Sequence, residues 1–269
     1  MERRMFLSSV VGGALTAAAN LGQGGAGQGG KAEGSPEFYV WRQFILRNGP
    51  QPRRLADFLQ NAAIPALNRA GHKPIGAFEV FAGVPGPTLF LLTPVSSLDT
   101  LAVLESSLDK DEAFQRDGKT YLDVPATDPA YIRQESSLWS AFPQFPRIEV
   151  PPATAAKAPR LFELRIYESP SERAHRAKVR MFAEMGEIDI FRRVGLRPMF
   201  FARTLVGPRM PSLVYMLVHD NMAAREKSWD AFRTDAEWKK LSSTAGYADA
   251  EIVSNITTIF LRPAGYSQI

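Results

Sequence analysis

Cysteine is absent from the 269 residues, which excludes disulfides, thiolate-bound metals, iron–sulfur clusters and cysteine nucleophiles and leaves the apolar core to hold the fold. Histidine is almost as scarce. His72, His175 and His219 are the whole inventory, none stands at metal-ligand spacing from another, and no His-Glu-x-x-His pattern occurs. A Gly-x-Ser-x-Gly elbow, a Walker loop and a dinucleotide fingerprint are also missing. The modestly apolar run Val10 to Ala19 falls short of the roughly 20 residues that a membrane-spanning helix needs. Basic residues outnumber acidic ones only 32 to 28, without a Lys/Arg run or a basic helix face, so nucleic acid is not an expected partner. The small excess lies in the second half of the chain and suits a small anionic ligand.

Hydrophobic residues at 45% and charged residues at 22% are ordinary for a globular protein, and the length allows two compact domains. The first residues follow another logic. Arg3-Arg4, then Phe6-Leu7, the weak apolar run and the small residues Ala17-Ala18-Ala19 form the pattern of a twin-arginine export signal. The expected partner there is the twin-arginine export machinery, and the expected location is the periplasm or the exterior of a bacterial cell. Gly22 to Gly34 reads as a flexible Gly/Gln/Ala tether.

The rest of the chain carries a hidden period. Gly71-His72-Lys73-Pro74 matches Gly195-Leu196-Arg197-Pro198 at a spacing of 124, and Arg69/Arg193, Leu89/Leu213, Asp111/Asp235 and Phe114/Trp238 keep it. Such constancy predicts a tandem duplication of one supersecondary unit. Pro143, Pro146, Pro151, Pro152 and Pro159 mark the boundary, because proline at that density disfavours both helix and sheet. The expected domains are residues 1–37 (signal and tether), 38–147 (first, diverged unit), 148–159 (linker), 160–263 (second unit) and 264–269 (tail).

In the second unit Phe162, Leu164 and Ile166 alternate with Glu163, Arg165 and Tyr167, as a strand with two different faces requires. Ser169-Pro170-Ser171-Glu172 predicts a helix start with Ser169 as cap, and Gly195 suits the helix end. Strands are predicted at Met199 to Leu205, Leu213 to Val218 and Ile252 to Leu261, with a helix capped by Asp220 or Asn221 and striped by Met222, Trp229 and Phe232. The first unit repeats the order strand, helix, strand, strand, helix, strand from Tyr39 to Phe142.

Glu-Leu-Arg-Ile-Tyr at Glu163 to Tyr167, Arg-x-Val-Gly at Arg192 to Gly195, Arg225-Glu226 and Glu237-Trp238 together resemble the NIPSNAP family. The first unit resembles it only through the repeat, since Tyr39-Val40-Trp41-Arg42 stands where Glu-Leu-Arg would be. The resemblance implies an α+β fold in which two tandem ferredoxin-like βαββαβ units form a dimeric α+β-barrel arrangement, closed within one chain or between chains of a homo-oligomer. In that geometry Glu163, Arg165, Tyr167 and His219 are the barrel-lining ligand candidates. Two readings stay open for Glu163 and Arg165, a structural ion pair or an anion site, and for His219, packing under a helix or lining the cavity. His72, in a turn, is expected to be exposed. No cofactor is expected, and His175 is the one candidate should haem bind as it does in some relatives of the wider superfamily. The functional expectation is an exported small-molecule-binding or interaction module using the lumen. The alternative is a cofactor-independent or haem-using monooxygenase-like enzyme.

Overall fold

The computed structural model describes residues 35–269; the export signal and the tether expected before them lie outside the described residues. The first half runs β1 (Phe38–Ile45), α1 (Pro50–Phe58), α2 (Ile64–Arg69), β2 (Gly76–Ala82), β3 (Thr88–Val95), α3 (Leu98–Asp109), α4 (Glu112–Leu122) and β4 (Arg133–Ala141). A π-helical stretch, Leu59–Ala63, joins α1 to α2. The second half runs β5 (Leu161–Glu168), α5 (Glu172–Ala183), α6 (Glu187–Arg193), β6 (Arg197–Val206), β7 (Ser212–His219), α7 (Met222–Thr234), α8 (Ala236–Ser242), α9 (Asp249–Ile252) and β8 (Asn255–Pro263).

All eight strands close one barrel in the order β1-β3-β2-β8-β5-β7-β6-β4. Each half contributes a four-stranded sheet with its first strand and third strand at the centre, and antiparallel seams β2–β8 and β4–β6 join the sheets. The barrel therefore closes within a single chain. Each seam is backed by a hairpin glycine with positive φ. Gly83, between β2 and β3, lies so close to β8 that an added Cβ would sit 2.5 Å from the Thr258 carbonyl oxygen, and Gly207, between β6 and β7, would meet Ser137 of β4 at 2.7 Å.

The two halves share more than element order. Ser97 and Asn221 cap α3 and α7, and Asp111 and Asp235 cap α4 and α8. Each capping aspartate also takes an arginine, Arg69 in the first half and Arg193 in the second. The two aspartates and their arginines are pairs whose spacing stands out in the sequence.

The interior of the barrel is apolar, which corrects the expectation of a polar lumen. Phe162 and Leu164 point inward with Tyr39, Trp41, Phe78, Phe90, Trp139 and Phe200. Trp41 stacks on Phe90 at 4.9 Å and on Trp139 at 5.3 Å between ring centroids. The alternation separates the two faces of β5 correctly, but their destinations are exchanged. Every strand faces the closed interior, where no helix can bring partners, so the apolar set goes there. Glu163, Arg165 and Tyr167 face outward, under helices that supply donors.

Five local expectations also change. Ser171, not Ser169, caps α5, accepting from the Ala174 amide at 3.2 Å, and the helical region breaks at left-handed Gly186 before α6. The last strand starts at Asn255, because Asp249–Ile252 forms the short α9. His72 is buried, its Nδ1 2.9 Å from the Pro94 carbonyl oxygen. Residues 264–269 are no free tail: Ile75 and Gln268 exchange hydrogen bonds of 2.9 and 3.0 Å, and Ile269 packs into the barrel core.

Candidate functional site

Glu163 is fully buried at the centre of the second half's sheet–helix layer. Arg225, projecting from α7, grips it with two bonds, Nε to Oε2 and Nη2 to Oε1, both 2.9 Å. Trp229 Nε1 donates to Oε2 at 2.9 Å, and His219 Nε2 lies 3.1 Å from the same oxygen. Arg165 Nη1 donates to Oε1 at 3.1 Å. Burial alone would raise the carboxyl pKa, but the bonds from His219, Arg225 and Trp229, with the charge of Arg165, lower it to about 2. The positions follow from secondary structure: Arg225 and Trp229 are four apart on one face of α7, and Asn221 fixes the start of that helix by accepting from the Ala224 amide at 2.9 Å.

Arg165 completes the layer. Its Nη2 donates to the Tyr167 hydroxyl at 3.0 Å, which also accepts from Tyr215 at 3.1 Å, and its guanidinium lies 4.8 Å from the Trp229 ring centroid. Burial would lower its pKa, but Tyr215, Tyr167 and Glu163 more than reverse that. Nearby, buried Lys178 reaches Asp249 at 3.0 Å and Glu187 at 3.5 Å among the rings of Tyr167, Phe182 and Trp238. Lys178 and Glu187 are not a simple ion pair. Asp249 is the nearer partner, and burial outweighs Lys178 in setting Glu187, whose pKa rises to about 7.

The structure thus brings Glu163, Arg165, Tyr167 and His219 together, though on the helix-covered face and not along the lumen. They form a network in which every Glu163 oxygen is bonded and only Arg165 Nε among these four residues lacks a partner. Glu163, a residue with every approach occupied, is poorly placed to receive a ligand.

The corresponding layer of the first half is built differently. Arg165 pairs with Tyr215 in the β5–β7 register, and Arg42 holds that place with Leu91 in the β1–β3 register. Two residues earlier, where β5 has Glu163, β1 has Val40. On α3, four and eight residues after the Ser97 cap, Leu101 and Glu105 occupy the places that Arg225 and Trp229 hold after Asn221. The network is gone except for its arginine. A cavity of about 510 Å³ opens there between sheet and helices, with Arg42 a polar point of the wall and Phe44, Phe58, Leu104 and Phe114 among the apolar ones. Sequence reasoning passed over Arg42. The signal was present, Val40-x-Arg42 in β1 where β5 has Glu163-x-Arg165, at a spacing one residue short of 124.

A second, smaller cavity of about 170 Å³ lies at one mouth of the barrel over Trp41 and Trp139. His175 lies on α5, buried, with Nδ1 lacking a hydrogen-bond partner, and burial lowers its pKa. The 510 Å³ cavity is lined by no histidine, so His175 does not face it.

Comparison with known proteins places this geometry in a class. Residues 162–268 match the NIPSNAP family model. No curated protein matches the chain. A monooxygenase-like protein from Lactobacillus acidophilus NCFM superposes with a TM-score of 0.54 at 10% identity, covering 85% of this chain and 94% of that one. Another from Fusobacterium nucleatum gives 0.55 at 9%, covering 85% and 93%. A NIPSNAP-like domain protein from Burkholderia xenovorans aligns with 40% of this chain and 88% of its own at 20% identity, with a TM-score of 0.36. The fold is a mixed α+β barrel of eight antiparallel strands, shared with those two monooxygenase-like structures. Its second half holds the stretch that matches the NIPSNAP model.

Proposed function

We propose that the chain is an exported small-molecule-binding protein, built from two copies of one duplicated unit, whose site is the hollow sheet–helix layer of the first half. The observation that carries the reading is the 510 Å³ cavity, which lies within the 300–1,000 Å³ usual for small-molecule sites and has the usual balance of apolar wall and few polar points. Duplication is supported by the shared spacing of caps and ion pairs, and export by the arginine pair and weak apolar run at the start of the sequence. A tightly packed second copy frees the first to hollow out, because the shared barrel keeps both sheets in place.

The neutral dye N-phenyl-1-naphthylamine tests the site. Its fluorescence should rise saturably with one site per chain, and Leu104→Trp, which fills the cavity from the buried face of α3, should abolish the rise while the melting temperature stays within a few degrees. Dye binding unaffected by Leu104→Trp in a folded protein would overturn the reading. For export, Arg3→Lys with Arg4→Lys should hold a reporter fusion in the cytoplasm.

A further inference from the structure

Arg42 is an anomaly of charge. It is half-buried on the floor of the cavity, and among the described residues it has neither a hydrogen bond nor an ion pair within 4 Å, Glu105 and Tyr121 acting on it only through space. Its counterpart Arg165 bonds Glu163, Tyr167 and Thr258. A guanidinium has five donors, and desolvating it without a partner is costly. A second unpaired group beside the same cavity is the hydroxyl of Tyr121, a residue 8% exposed whose oxygen bonds nothing. Burial pushes its pKa up, so it stays a donor. The Tyr121 oxygen is itself closed off behind the wall, so the donors that open into the apolar-walled space are those of Arg42.

We infer that this cavity binds an apolar monocarboxylate, its acid group on Arg42 and its hydrocarbon or aromatic body against Phe44, Phe58, Leu104 and Phe114. The inference rests on the proposed binding site and specifies its ligand. The acid takes the place that Glu163 fills in the other half, so the ligand supplies in trans the carboxylate that Val40 removes. Exposed Glu105 and Asp109 border the same cavity. They repel a second negative charge on the ligand, whereas an acid at the floor meets Arg42 in a medium of lower dielectric, where attraction is stronger. One charge at the inner end and none at the outer end is the pattern selected.

Calorimetric titration of the full chain with 2-naphthoate and with 2-naphthalenemethanol, which share an aromatic body and differ in the acid, tests this. The carboxylate should bind about tenfold or more tightly, as expected for charge-assisted bonds to a guanidinium. Arg42→Met should bring the two to parity without weakening the alcohol, and should keep or raise the melting temperature because it removes an unpaired charge. Arg42→Gln should likewise remove the preference and serves as the second variant if Arg42→Met folds poorly. Equal binding of acid and alcohol by the unaltered chain, or a preference that survives Arg42→Met, overturns the inference while leaving the cavity reading in place. Failure of both compounds to bind, with dye binding also absent, overturns the cavity reading itself.

Discussion

A carboxylate without exposure is tolerated only when its lone pairs are used, and Glu163 uses them on Arg165, Arg225, His219 and Trp229. Glu163→Gln should therefore destabilise the fold by about 3–5 kcal/mol in thermal or denaturant unfolding, since two arginines lose their counter-charge in a buried layer. Arg42→Met should cost far less, and similar losses from the two substitutions would refute the contrast between the halves. The carboxylates also set the pH response. The pKa of Glu163 is lowered from 4.5 to about 2, so its contribution, about 3 kcal/mol, is present above pH 4.5 and is lost as pH falls toward 2. Glu187 is raised from 4.5 to about 7, so its contribution is present below pH 4.5 and is lost as pH rises through 7. The melting temperature should peak near pH 5, and Glu187→Gln should flatten the decline between pH 5 and 8 without altering the acid limb. A decline unchanged in Glu187→Gln would assign it to other groups.

Helix starts and hairpins are where sequence and structure part most often at the level of elements. Both Ser169 and Ser171 precede an acidic residue and an apolar stripe, and the pattern alone favours the serine before Pro170. The structure puts the cap on Ser171, because Ser169 ends β5's hydrogen bonding by donating its amide to Pro211. Ser171→Ala should cost about 1 kcal/mol, whereas Ser169→Ala, which removes a buried hydroxyl oxygen without a partner, should be neutral or stabilising. The reverse order would restore the start expected from the sequence. Gly207→Ala should cost on the order of 1–3 kcal/mol through strained φ and contact with Ser137, and the loss should show as earlier proteolysis at the β4–β6 seam. Most strand positions, the second-half helix at Met222–Thr234 and its cap at Asn221 were legible from period and spacing, whereas Asp111 and Asp235 stood out by their spacing without their role as caps. The break at Gly186 was not, since the apolar spacing continues through it.

At the scale of the molecule, alternation along β5 could show two unlike faces but not which one a closed barrel would enclose. That choice depends on all eight strands together, and the interior resolves it in favour of Phe162 and Leu164. The same closure lets one chain complete the barrel by itself and lets two similarly built halves differ, one layer locked by Glu163, the other left open around Arg42. Native mass spectrometry of the chain mixed with 2-naphthoate measures the central claim most directly. One carboxylate per chain, retained in His219→Gln and lost in Leu104→Trp and Arg42→Met, is the predicted result. Two carboxylates per chain, or one that persists in Leu104→Trp and Arg42→Met, would contradict a single site in the first half.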